Sequence, residues 1–197
     1  NGLSIKTYGG AVRFAGVVNS ANSYESIDVR TQANPVNGIS WTDALTAAKS
    51  GTGASTNDTY LATITSRLEN AIASQTSNYQ PSWLGGRRVT GLGTDDLWRW
   101  VTGPEGLQDS GKGLAFSSQF SGGGTTPYNG QFNNWSSGEP NNWNGSGAGA
   151  LNSETESALQ FNGSAGAWND LPKTGYSLNY YVKEKNLAPS PLTIDAG

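Results

Sequence analysis

Glu139-Pro140-Asn141, taken together with Trp168-Asn169-Asp170, decides the reading of this chain. Each triplet sets oxygen-bearing side chains close to one another. Glu139 offers a carboxylate, Asn141 and Asn169 offer amide carbonyls, and Asp170 offers a second carboxylate. Glu156, between the triplets, adds a third. A hard cation such as calcium takes about 6–8 oxygen ligands at roughly 2.3–2.6 Å in flexible geometry. These side chains plus a backbone carbonyl or two meet that demand. Pro140 fits the same picture, because an X-Pro bond adopts the cis form at modest cost, and a cis turn lets the flanking side chains point the same way. Taken alone, a Glu-Pro-Asn triplet is an ordinary turn; the ordered set is what points to a cation.

Other segments fall into line around it. Tyr60-Leu61-Ala62-Thr63-Ile64 precedes a helical pattern. Trp83-Leu84-Gly85-Gly86 and Trp98-Arg99-Trp100-Val101 follow, and Tyr180-Tyr181-Val182-Lys183-Glu184 comes last. In this order, over roughly residues 22–184, the motifs resemble the C-type lectin-like family. The resemblance implies an α+β C-type lectin-like fold, with two helices flanking small antiparallel sheets and a long calcium-binding loop region. It implies that Glu139, Asn141, Glu156, Asn169 and Asp170 bind Ca2+. It also implies that Glu139, Asn141, Glu156 and Asn169 hydrogen-bond a pair of adjacent sugar hydroxyls. Trp143 sits at the offset of the tryptophan that stacks on galactose in galactose-type members, and an anchor for the inserted loop is the alternative. A second cation would fall to Asn142, where members with an auxiliary site carry an acid. The ligands implied are cell-surface glycans of the mannose, fucose and N-acetylglucosamine type. Protein or ice binding by the same fold is the other reading.

Composition narrows the classes. Charged residues make up 14% of the chain against about 25% in typical domains, and 27 of 197 residues are glycine. This describes a loop-rich domain, while seven tryptophans supply a core. A net charge of −3, with no basic cluster beyond Arg87-Arg88, argues against nucleic acid. No apolar run approaches the roughly 18 residues of a membrane span. The chain has no cysteine and no histidine, which removes disulfides, thiolate metal sites and serine–histidine chemistry. No carboxylate pair stands apart from the proposed cation site, so an enzyme is not expected. Animal members usually carry two disulfides, whose cysteines would align near Ala158, Lys173, the first helix and Lys183. Their absence resembles the cysteine-free bacterial members found in large surface adhesins. The resemblance therefore implies an extracellular module at a bacterial cell surface, monomeric within a larger multidomain chain.

The remaining pattern gives the elements. Tyr24–Val29 alternates like a strand and is expected to pair with the last strand, bringing the domain's ends together. Ser40 with Asp43 predicts a capped helix over 40–49 that buries Trp41, Ala44, Leu45 and Ala48. Thr65 or Ser66 with Glu69 predicts a second helix to about Gln75, with Leu68, Ala71 and Ile72 as its apolar stripe. Strands are expected at Trp83–Gly86, Trp98–Val101, Ser157–Phe161, Ala167–Asn169 and Ser177–Glu184. Asp95-Asp96 reads as turn chemistry. Thr102 to Asn134, rich in Gly, Ser and Thr, reads as one long functional loop. Trp135 is expected in the core. Residues 1–21 are expected to add an edge strand. Residues 185–197, with Ala188-Pro189-Ser190-Pro191, read as a stiff linker to a following domain.

Overall fold

A computed structural model describes residues 22–55, 58–89, 96–120, 124–147, 155–163 and 165–186. The expected edge strand in 1–21, Asp95, and the linker beyond 186 lie outside them. The chain order is β1 (Asn22–Asp28), α1 (Trp41–Ala48), β2 (Thr59–Leu61), α2 (Arg67–Thr76), β3 (Ser82–Val89), β4 (Leu97–Trp100), β5 (Leu114–Gln119), β6 (Thr125–Pro127), β7 (Ala158–Phe161), β8 (Trp168–Leu171) and β9 (Tyr180–Asn186). Short helical turns at Gly103–Gly106 and Gln108–Gly111 lead from β4 to β5.

The ends of the domain meet as expected. β1 runs antiparallel to β9, from Asn22 opposite Asn186 to Asp28 opposite Tyr180. β2 also pairs with β9, and the start of β9 lies parallel to β3. β3 is the hub, because it also pairs antiparallel with β4 and β7. The strands are therefore linked into one nine-stranded network rather than separate small sheets. The two glycines of β3 are required by space. A Cβ at Gly85 would lie 2.0 Å from the Thr102 hydroxyl, and one at Gly86 would lie 2.6 Å from the Leu159 side chain. Only glycine lets the neighbouring chain approach this closely.

α1 docks on β2 and β3, and α2 docks on β1. In α1 the Ser40 hydroxyl caps the Asp43 N–H, and Trp41, Ala44 and Ala48 are buried. The Trp41 indole donates to the Leu84 carbonyl at 2.8 Å, and Trp83 returns the bond to the Ile39 carbonyl at 2.8 Å. α2 departs from expectation. Ser66 is its cap, but Leu68 and Ile72 are exposed, at 61% and 45%, and Ala71 is exposed too. The buried face is Asn70, Ala73 and Ser74. Hydrogen bonding decides this orientation over apolar area. The Asn70 amide accepts from the Trp168 indole at 2.8 Å and donates to the Gly166 carbonyl at 3.1 Å. A buried indole N–H left without a partner costs roughly 1–3 kcal/mol, comparable with what the two partly exposed aliphatic side chains forgo.

The segment from Thr102 to Asn134 is not one loop. It contains β5, which pairs with β4, and β6, which pairs with β5 at the sheet margin. Phe116 of β5 is fully buried and stacks on Trp100 at 4.5 Å between centroids. Trp168 meets both rings edge-on at 5.7 Å. Trp135 is half-buried rather than fully core; it packs on Trp98 at 4.7 Å and donates to Ser117 at 3.2 Å. This aromatic layer is the floor on which the 132–141 segment rests. Among the described residues no helix is long and apolar enough to cross a membrane.

Candidate functional site

β8 positions the site by its pleat. Trp168 and Asp170 turn inward and are fully buried, while Asn169 between them is half-exposed. The segment before the Glu-Pro-Asn triplet is strapped along β8. Trp168 N–H donates to the Asn134 carbonyl at 2.8 Å, and Ser136 N–H donates to the Trp168 carbonyl at 2.9 Å. The Glu139–Pro140 bond is cis. The Pro140 carbonyl accepts from the Gln119 side-chain amide and the Gly124 N–H, both at 3.2 Å. Asp170 then takes the next two backbone donors: Oδ1 accepts Asn141 N–H at 3.0 Å, and Oδ2 accepts Asn142 N–H at 2.8 Å.

Asn142 and Glu156 form a second clasp. Asn142 adopts a φ of +49° and is fully buried. Its amide oxygen accepts Glu156 N–H at 2.8 Å, while the Glu156 carboxylate accepts Trp143 N–H at 2.7 Å. Asn142 therefore braces the loop from inside instead of presenting a ligand to a second cation. Asn141 Nδ2 donates to Glu139 Oε1 at 3.1 Å. Asn169 Nδ2 donates to the Asp170 carbonyl at 2.8 Å. Hydrogen bonds thus tie Glu139 to Asn141, Asp170 to the backbone of Asn141 and Asn142, and Glu156 to Asn142 and Trp143, while Asn169 bonds the Asp170 carbonyl. Trp143 stands at the rim with 48% of its surface exposed.

Like charges dominate the electrostatics. Burial first, then the neighbouring Asp170 and Glu156 carboxylates, push Glu139 up to about 7. Burial and then Asp170 push Glu156 up to about 7. Asp170 is raised by burial, against the opposing hydrogen bonds from Asn142 and Asn141. Two buried oxygens, Glu139 Oε2 and Asn141 Oδ1, receive no N–H donor, and the Glu139 and Asp170 carboxyls lie within hydrogen-bonding reach of each other. A buried acceptor without a donor costs roughly 1–3 kcal/mol, so a pair of them in one loop fits an oxygen-seeking cation. Among the described residues no three acidic side chains converge to hold a metal by themselves. Asp170 and one oxygen of Glu156 are engaged by backbone N–H groups. A cation here would rest on a mixed set of carboxylate and amide oxygens.

Three contributors were not legible in the sequence. Gln119 joins the floor to the loop, since its carbonyl accepts from the Trp98 indole at 3.1 Å while its amide holds Pro140. Asn142 acts as the clasp already described. Phe120 is half-exposed beside the loop, its N–H donating to the Gly124 carbonyl at 3.0 Å. Gln119 and Asn142 sit in polar stretches whose partners are remote in sequence, whereas Phe120 bonds Gly124 only four positions on. The acid Asp96 pairs with Arg88 at 3.5 Å, in line with a turn and strand role.

Solved structures share this architecture. The cow C-type carbohydrate-recognition domain of CD23, solved in the presence of a GlcNAc2Man3 oligosaccharide, is 19% identical. It aligns with a TM-score of 0.50 over 85% of this chain and 90% of its own. The C-type lectin CEL-I from Cucumaria echinata is 16% identical, with a TM-score of 0.51 over 85% of this chain and 91% of its own. The EPNH mutant of CEL-I gives a TM-score of 0.52 at 16% identity over the same shares. The chain therefore has the C-type lectin-like fold, in a form without cysteine. By sequence it is 30% identical over 124 residues to Halomucin of Haloquadratum walsbyi, a match of 63% of this chain. The chain spans about 1% of the length of that relative. No family model matches the sequence.

Proposed function

We propose that this domain is a calcium-dependent carbohydrate-binding module that takes a vicinal diol of mannose- or fucose-type sugars. The observation that carries the reading is the pair of buried oxygens without an N–H donor, Glu139 Oε2 and Asn141 Oδ1, in a loop whose three carboxylates repel one another. Glu139, Asn141, Glu156, Asn169 and Asp170 would hold the ion. Bound calcium would supply open coordination for two adjacent hydroxyls. The protein's own part is directional. Carboxylates of Glu139 and Glu156 accept the hydroxyl protons, and the amides of Asn141 and Asn169 donate to the hydroxyl lone pairs. Asp170 fixes the backbone of the loop so that these groups stay in place. Asp170 and Glu156 bond backbone N–H groups, which commits them to holding the loop.

The setting we propose is extracellular, in a bacterial surface adhesin built of many domains. The many-domain part of this setting is supported by the similarity to Halomucin, of which the chain matches about 1%. One shallow site with a millimolar sugar is worth about 4 kcal/mol. Repetition of such modules adds roughly 10²–10⁴ in avidity. The test is a glycan array probed with calcium and again with chelator. Sugar spots that appear only with calcium support the reading. Binding to protein or ice that simple sugars do not inhibit overturns it.

A further inference from the structure

We infer that the groove beside Glu139 is a second sugar subsite, so that the ligand is an extended neutral oligosaccharide rather than a single terminal sugar; this rests on the sugar-binding reading above. A groove of about 360 Å³ lies along the 132–139 segment, lined by Thr125, Asn133, Asn134, Trp135, Ser136 and Glu139. Its size falls in the range of roughly 300–1,000 Å³ of small-molecule sites. It shares Glu139 with the loop that would hold the first sugar, so a second unit need only continue along the same wall. Gly124 and Gly138 complete the sides, and a Cβ at either would meet nothing within 4 Å. Among the described residues the walls are open there.

The chemistry of the lining suits a polyol. Asn133 turns its NH2 group inward to Ser117 at 3.3 Å, and Asn134 turns its own to the Gly166 carbonyl at 2.8 Å. Their amide oxygens are then the groups left to accept from a ligand. Ser136 accepts from Asn162 and keeps its own hydroxyl proton to give. Two amide oxygens and one hydroxyl proton on this segment are the acceptors and donor that sugar hydroxyls require. The half-exposed Phe120 sits one backbone hydrogen bond away from Gly124. Glu139 is the only charged residue on the described lining, and it is an acid. A neutral unit is accepted there, and an anionic one is disfavoured.

The experiment measures calorimetric affinities, in calcium, for methyl α-mannoside, α-linked mannobioses and a uronate-bearing disaccharide. It uses the native chain, Asn133→Ala and Asn133→Trp, with melting curves to show that each variant is folded. The expected result is that a mannobiose binds the native chain roughly tenfold tighter than the monosaccharide, a gain worth one or two net hydrogen bonds. Asn133→Trp fills the groove and removes the gain, Asn133→Ala reduces it, and neither moves methyl α-mannoside affinity. Amide resonances of Thr125, Asn133 and Ser136 shift with the disaccharide and not with the monosaccharide. The uronate shows no gain. If methyl α-mannoside binds but the mannobioses add nothing, or if their gain survives in Asn133→Trp, the subsite is overturned and the lectin reading stands. If no sugar binds in calcium, both fall together.

Discussion

Asp170 clamps Asn141 and its successor with both oxygens of one buried carboxylate, at 3.0 Å to Asn141 N–H and 2.8 Å to Asn142 N–H. The side chain that would bind a cation is thus also the fastening of the whole Glu-Pro-Asn loop. Asp170→Ala leaves two buried N–H groups without acceptors, at roughly 1–3 kcal/mol each. A domain of this size loses about 2–4 °C of melting temperature per kcal/mol. The expected drop is about 10 °C in chelator, where no cation contributes, with Asp170→Asn intermediate. An Asp170→Ala variant that melts within about 2 °C of the parent refutes the clamp.

Calcium should stabilise the fold. Folding brings Glu139, Glu156 and Asp170 close enough to repel one another, so a cation is expected to bind the native form in preference to the unfolded one. Extracellular sites of this kind have dissociation constants of roughly 10⁻⁴–10⁻³ M. At a hundredfold excess over that constant, linkage gives about 2.7 kcal/mol, or a rise of roughly 5–10 °C. Glu139→Gln with Glu156→Gln should lose the response, and should raise stability in chelator by removing repulsion. A thermal scan indifferent to 10 mM calcium, about the hundredfold excess for the tighter of these constants, counts against the site.

Much of this architecture was legible because local chemistry and tertiary structure agree. Ser40 and Ser66 announced both helix starts, and each caps the residue three positions on. The Trp83–Gly86 segment announced the hub, since two adjacent glycines in an apolar run mean close backbone approach. What failed was burial decided by polar partners. Leu68 and Ile72 form a good apolar stripe, but Asn70 must reach the Trp168 indole, so the helix turns the other way. β5 was hidden because Ser117 and Gln119, polar residues, occupy buried positions bonded to Trp135, Thr126 and Pro140. In the site, the ligand types stood out in sequence, whereas the clasp role of Asn142 did not. Nothing local tells an inward-facing amide from an outward-facing one.

Glu184 makes stability depend on pH. It is 1% exposed and accepts from Thr63 N–H at 2.8 Å and the Thr63 hydroxyl at 3.0 Å. Burial, with Glu105 and Glu69 nearby, pushes it up to about 8. A carboxyl whose folded value is raised holds its proton better when folded. Its contribution is full below the ordinary value near 4.5 and is lost as pH rises toward 8. In chelator, the melting temperature should fall by roughly 5–10 °C between pH 5 and pH 8.5. Glu184→Gln keeps the acceptor and removes the titration, so its profile should be flatter. Equal slopes for variant and parent rule Glu184 out as the source.

The choice of sugar should follow the order of Glu139 and Asn141. Asn141 Nδ2 lies 3.1 Å from Glu139 Oε1, so acceptor and donor stand side by side at the mouth of the loop. In the family the chain resembles, carboxylate first and amide second takes equatorial 3- and 4-hydroxyls, as in mannose, glucose and N-acetylglucosamine. Fucose presents an equivalent pair. Galactose has an axial 4-hydroxyl, and its binders generally carry Gln then Asp. The opposing influence is Trp143, exposed enough to stack on the apolar face of a galactose ring. Competition by fucose, mannose and galactose should therefore rank galactose last on the native chain. Glu139→Gln with Asn141→Asp should shift the mannose-to-galactose ratio by about tenfold toward galactose, a change of one hydrogen bond's worth in each direction. Trp143→Ala should weaken the swapped variant for galactose and leave the native preference for mannose in place. If galactose competes best on the native chain and Trp143→Ala abolishes that, the indole sets specificity and the triplet does not. A ranking untouched by the double swap removes Glu139 and Asn141 from sugar selection altogether.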